Sequence, residues 1–293
     1  MKDKVSKQLV CLPKRLTQAQ LLEAARHAIE INPMNRPPVE RMAALGKGFA
    51  PTPQRIAVLT TAYWGTGGVK LTVGFLDNPE SALKTRILGH MNAWNKNANV
   101  TFTLTNDRDN ADVRIARVGG QDGGYWSYVG TQIRAIKKGE ATMNLEAFTM
   151  QTEDSEYYRV VRHETGHTLG FVHEHMRKDL VKLIDKKKAI AYFLKNDGWS
   201  AQETTAQVLT PIEDSTINGT TADPKSIMCY QIPGELTIDG NPIIGGLDID
   251  ASDYAFSATI YPKSASAPKK KAAAKKKVVK KKKTAKKKIA KKK

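Results

Sequence analysis

HETGHTLGFVHEH, residues 163–175, decides how this chain is read. His163 and His167 stand four apart, so on a helix both imidazoles project from one face and can grip one metal ion. Glu164 lies beside that pair, placed to take a proton from a metal-activated water. Gly170 falls where the helix must stop, because glycine tolerates the left-handed conformation that turns a chain sharply. That turn swings His173 back as a third ligand. Three nitrogen ligands leave the fourth position open, which distinguishes a catalytic zinc site from a closed structural one. Four of the chain's six histidines fall in these 13 residues. A fourth ligand at His175 would close the site, so His175 is read as a surface or outer histidine, and Glu174 as a group that orients a neighbour.

The surroundings give the motif a scaffold. Upstream, VKLTVGF (69–75) alternates as a strand, and Asn78-Pro79-Glu80 opens a helix to about Asn95 with Leu83, Ile87, Met91 and Trp94 on one face. VTFTL (100–104), ADVRIA (111–116) and ATMNLEAF (141–148) read as further strands, and Glu156 to Leu169 as the helix that carries the motif. The last of these strands, just before the motif helix, is the expected edge, with Met143, Asn144 and Leu145 binding an extended peptide by strand addition. Downstream the texture is looser, with helices expected near Lys186 to Phe193 and Ser252 to Tyr261.

HExxHxxGxxH resembles the metzincin metallopeptidases, and Glu174 after His173 resembles their astacin branch. Ser226-Ile227-Met228-Cys229-Tyr230 is similar to the Met-turn of that branch, and Trp126-Ser127-Tyr128-Val129-Gly130 to another of its segments. The resemblance covers roughly residues 55–262. It implies an α+β fold: a mixed twisted sheet with an active-site helix and a backing helix, a smaller irregular C-terminal subdomain, and a zinc cleft between them. Residues 52–262 would be the catalytic domain, 52–170 its upper and 171–262 its lower part. It also implies a zinc metalloendopeptidase with one catalytic ion, Glu164 as general base, Met228 beneath the metal and Tyr230 stabilising the transition state. The chain departs from the pattern in two ways. It has two cysteines where astacins carry domain disulfides, and Cys229 replaces a histidine common in that turn.

Both ends lie outside the resemblance. Residues 1–51 form a proline-punctuated arm or pro-segment, with Thr17 and Gln20 at capping-box spacing before a helical apolar pattern. Its lone Cys11 has two readings: a free cysteine that packs, or a thiolate that fills zinc's open position and holds the enzyme latent. The formal charge of +18 is concentrated at the other end. Removing the 17 lysines from Lys263 onward leaves +1 for residues 1–262, so the body is not a nucleic-acid binder by charge. Residues 263–293 are a Lys/Ala-rich tail that cannot build a core and is predicted disordered. Such a polycation binds nucleic acid or other polyanions without sequence readout. A polyanion-binding protein with the zinc domain as scaffold is therefore the alternative to a peptidase acting on protein or peptide substrates. The chain is expected to be a monomer with no membrane span. No secretory signal is legible, which suggests a cytoplasmic protein or one exported by a non-standard route.

Overall fold

The computed structural model describes residues 11, 14–35, 58–59, 62–212, 217–218 and 222–263. Thr17 and Gln20 form the capping box their spacing predicts: the Gln20 amide donates to the Thr17 hydroxyl at 3.4 Å and the Thr17 amide to Gln20 Oε1 at 2.9 Å. Helix α1 (Gln18–Ile31) follows and stops before Pro33. Its Ala24 and Ala28 are buried. Asn35 ties the arm to the body, donating to Tyr63 O at 2.7 Å and accepting from Tyr63 N at 3.2 Å.

Alternating apolar residues make the sheet. Its strands are β1 (Val69–Phe75), β2 (Val100–Leu104), β3 (Val113–Ala116), β4 (Tyr125–Ser127) and β5 (Met143–Leu145), in the order β2-β1-β3-β5-β4. The first four neighbours run parallel, and β4 pairs antiparallel to β5 through Tyr125–Leu145, Trp126–Asn144 and Ser127–Met143. Helix α2 (Ser81–Met91) lays Leu83, Ile87 and Met91 on the core, as expected, and a tighter turn then delivers fully buried Trp94.

The edge strand corrects the sequence reading. β5 is an interior strand, and the edge is β4. Met143 and Leu145 belong to the hydrophobic core. The Asn144 amide donates to Val118 O at 2.9 Å and Gly124 O at 2.7 Å, and its Oδ1 accepts from Val118 N at 3.0 Å. None of the three is free to meet a substrate. Alternation cannot separate a central strand from an edge, and β4, at three residues, is too short to show a period.

The motif helix is one continuous run with an irregularity. An α turn at Asp154–Glu156 passes into a π turn at Tyr157–Val161 and then into α3 (Arg162–Thr168). Beyond it, Asp185 caps α4 (Lys186–Asp197), which ends at left-handed Gly198. Phe193 stacks on Trp199 at 5.0 Å within a second apolar cluster that includes Leu180, Val208, Cys229 and Leu236. The last helix, α5 (Ala251–Ile260), does not stay with that cluster. Its Phe256 and Ile260, with Tyr261, pack into the sheet-side core beside Phe171. The last helix thus follows the second cluster in sequence and packs with the sheet side. The tail beyond Lys263 lies outside the described residues, as does most of the arm before Lys14. Among the described residues no helix is long and apolar enough to cross a membrane.

One buried charge fixes the loop beside the sheet. Arg114, on β3, is 4% exposed. Its guanidinium donates to Glu140 O at 2.6 Å, Ala111 O at 2.8 Å and Ile136 O at 3.0 Å. Arg114→Met leaves these carbonyls without a donor. The expected loss is about 3 kcal/mol, read as a fall in Tm of about 6–12 °C for a domain of this size. An unchanged Tm in thermal unfolding would show that the guanidinium is dispensable.

Candidate active site

The helix end builds the site. Gly170 takes φ +96°. Its N–H donates to His167 O at 2.7 Å and Phe171 N–H reaches back to Gly166 O at 3.0 Å, the paired bonds of a Schellman cap. The carbonyls left over at a helix C-terminus must find other donors. Trp64 Nε1 donates to Thr168 O at 2.9 Å and the Tyr261 hydroxyl donates to Leu169 O. Trp94 Nε1 holds Arg162 O at 2.9 Å, nearer the start of the helix. Three aromatic donors from three parts of the chain thus fix the helix that carries the histidines.

The turn brings His173 back, as expected. Its Nε2 lies 3.2 Å from His163 Nε2 and 3.0 Å from His167 Nε2. The opposite ring nitrogens face carbonyls: His163 Nδ1 is 2.7 Å from Ile227 O, and His167 Nδ1 is 2.8 Å from Phe171 O. Nδ1 must therefore carry the proton in both rings, and the Nε2 lone pairs converge bare. Burial, and for His163 and His173 also neighbouring charge, keeps all three rings from protonating, with His167 held at about 4. Neutral imidazole is the form that ligates. Such a nest of lone pairs is repulsive unless a cation lies within it, and N···N spacings near 3 Å suit zinc–nitrogen bonds of about 2.0–2.1 Å. The residues present fit the metal.

A fourth donor comes from outside the motif. Cys11 Sγ lies 3.5 Å from His167 Nε2, and Cys11, His163, His167 and His173 each offer a ligand atom within 4.8 Å of the others. Cys11 is buried, and its backbone bridges Tyr125 on the edge strand in parallel sense. The Tyr230 hydroxyl donates to Cys11 O. Glu164 is 1% exposed, and burial pushes its carboxyl up to about 8, with the Cys11 thiol as hydrogen-bond partner.

The Met-turn forms the floor. Glu174 N–H donates to Met228 O at 2.9 Å, and a Glu174 carboxylate oxygen accepts from Asp223 N at 3.1 Å, so Glu174 does orient a neighbour. Met228 packs where Gly166 has no side chain: a Cβ there would stand 2.4 Å from Met228 Sδ and 3.3 Å from Trp94 Cζ2. Of the two readings of His175, surface or outer, the outer one holds. It is fully buried, stacked on the Tyr230 ring at 4.0 Å and 17°, with its Nε2 3.2 Å from Gln207 O. Its ring orients the tyrosine and is outside the ligand cluster.

Sequence reasoning missed Asp253. From α5 its carboxylate accepts from Ser226 Oγ at 2.6 Å and Ile227 N at 2.9 Å, clamping the turn whose carbonyl holds His163. The only signal was its place as the third residue after the helix cap Asp250, which reads as capping and nothing more.

A helix-borne histidine pair, a third histidine after a glycine turn and a methionine floor define a zinc metallopeptidase of the metzincin class. The profile of the astacin peptidase family matches residues 59–234. The chain belongs to the astacin family, and it is a zinc-dependent metalloendopeptidase. Its structure is similar to that of myroilysin, at 31% identity and TM-score 0.65, over 71% of this chain and 98% of that one. A second myroilysin crystal structure gives 31% identity and TM-score 0.52, over 69% and 87% of the two chains. High choriolytic enzyme 1, a hatching enzyme zinc-protease from the medaka fish Oryzias latipes, aligns at 20% identity and TM-score 0.45 over 69% of this chain and 95% of its own. No curated protein sequence matches the chain.

Gly166→Ala should force Met228 aside and cost about 1–3 kcal/mol by overpacking, with a matching fall in casein cleavage. Gly89→Ala, where an added Cβ meets nothing within 4 Å, is the control and should lose no stability. Equal unfolding midpoints for the two variants would refute the packing role.

Proposed function

We propose that His163, His167 and His173 hold the catalytic zinc, that Glu164 moves the proton, that Tyr230 stabilises the oxyanion, and that Cys11 keeps the full chain latent. The convergence of three bare Nε2 atoms with the Cys11 thiol carries this reading. When bound, the ion supplies Lewis acidity, which lets water act as a nucleophile at neutral pH and polarises the scissile carbonyl. Glu164 accepts the proton of the attacking water and returns it to the departing amine. Its burial supports this role by keeping bulk water from competing for that proton. The Tyr230 hydroxyl donates to the substrate oxygen as negative charge develops there. His175, stacked on its ring, holds it in place.

Substrate lies along Tyr125–Ser127, the edge strand of the sheet, in place of the arm. The parallel bridge between Cys11 and Tyr125 supports this, because the arm already takes that edge. Residues 1–51 act as the latency segment and 52–262 as the catalytic domain, while the lysines after residue 262 serve as a polyanion tether. The comparisons give no support to a polyanion-binding protein with an inert zinc scaffold.

The test uses the zinc-loaded full chain and casein. Glu164→Gln should keep about one zinc per chain and lose turnover by at least about a hundredfold. Cys11→Ser should cleave faster than the parent before any trimming, and a chelator should silence both proteins. Parental turnover in the glutamine variant would defeat the proton-transfer role, and unchanged activity after Cys11→Ser would defeat latency through the thiol.

A further inference from the structure

The arm that delivers Cys11 also makes a second contact, at the sheet edge. Lys14 stands three residues after Cys11, and its ammonium lies 2.9 Å from Asp122 Oδ1. The same ammonium sits 4.7 Å from the centre of the Trp126 ring, on the edge strand. That ring is held rigidly: Trp126 is buried, Tyr128 meets it edge-on at 6.0 Å, and its Nε1 donates to the main-chain carbonyl of Asp122 at 3.0 Å. Asp122 therefore supplies the carboxylate and also fixes the indole beside it. A cation held between a carboxylate and an aromatic face gains from both, and a long aliphatic stem lets it reach them from the backbone.

The arm lies where substrate must lie, since Cys11 bridges Tyr125. A peptide that displaces the arm vacates the position of Lys14 and finds Asp122 and Trp126 without their cation. Resting on the peptidase reading of this cleft, we infer that Asp122 and Trp126 form a subsite for a lysine or arginine side chain of the substrate. It lies within three residues of the scissile bond, the spacing of Cys11 and Lys14. Lys14 is its resident occupant. The substrates favoured are thus proteins with a basic residue near the cut.

The experiment uses the zinc-loaded full chain and a mixture of peptides competing in one reaction. They differ by Lys, Ala or Glu at each of three positions on either side of one scissile bond, and products are read by mass spectrometry. Internal competition gives ratios of kcat/KM that do not depend on how many chains have an open cleft. Lys should be preferred over Glu by about tenfold at one position, and Asp122→Lys should invert that preference. A flat profile, or a lysine preference that survives Asp122→Lys, overturns the inference.

A second measurement needs no turnover. Lys14→Glu or Asp122→Lys should speed alkylation of Cys11 by a maleimide about fivefold, and the two together should restore the slow rate. Failure to restore it removes the contact and the inference with it. Restored alkylation with a flat peptide profile would mean a lock for the arm only and would also overturn the subsite. No cleavage of any peptide, with alkylation restored, would defeat the peptidase reading while leaving the lysine site standing.

Discussion

Three uncharged imidazole nitrogens face one another in a dry site, and much of the surrounding structure serves to keep them there. Buried lone pairs at 3.0–3.2 Å repel unless a cation lies between them. Their orientation is set from behind by carbonyls. Phe171 O belongs to the glycine turn and Ile227 O to the Met-turn, so the two turns that shape the cleft also aim the rings. The Met-turn is held in turn by Asp253, and the helix end by Trp64 and Tyr261. The metal site and the meeting of sheet, motif helix and last helix are thus one structure. That explains why α5 leaves the second apolar cluster and returns to the sheet side.

The chemistry of this site was legible in the sequence because it sits on local spacing. The pair at His163 and His167, the glycine turn and His173 lie within eleven residues, and helix geometry with one glycine turn brings them together. The capping box at Thr17 and the apolar face of α2 were legible for the same reason. What failed depended on contacts distant in sequence. β5 reads as an edge because it alternates and precedes the motif, yet it is interior because β4, three residues long, adds itself outside it. His175 reads equally as a surface or an outer residue from its place after the turn, and only the fold decides. Tyr230, 55 residues on, covers it. Asp253 looks like part of a helix cap, and only the fold places it against the Met-turn.

Cys11 links the N-terminal arm to the histidine cluster. The sequence offered a lone cysteine in a segment outside the family resemblance, with no means of choosing between a packed thiol and a ligand. The structure places it 3.5 Å from His167 Nε2, a separation of 156 residues in the chain. Two further contacts tie the arm down: Lys14 on Asp122, and Arg15 Nη2 on Ala206 O at 3.0 Å. The segment thus lies against both the histidine cluster and the sheet edge.

Zinc K-edge X-ray absorption on the purified full chain tests the central claim most directly. The account predicts three nitrogen scatterers at about 2.0–2.1 Å and one sulfur at about 2.3 Å, with the sulfur lost in Cys11→Ser and the nitrogens kept. A zinc shell of nitrogen and oxygen only in the untrimmed parent chain, unchanged by that substitution, would contradict it.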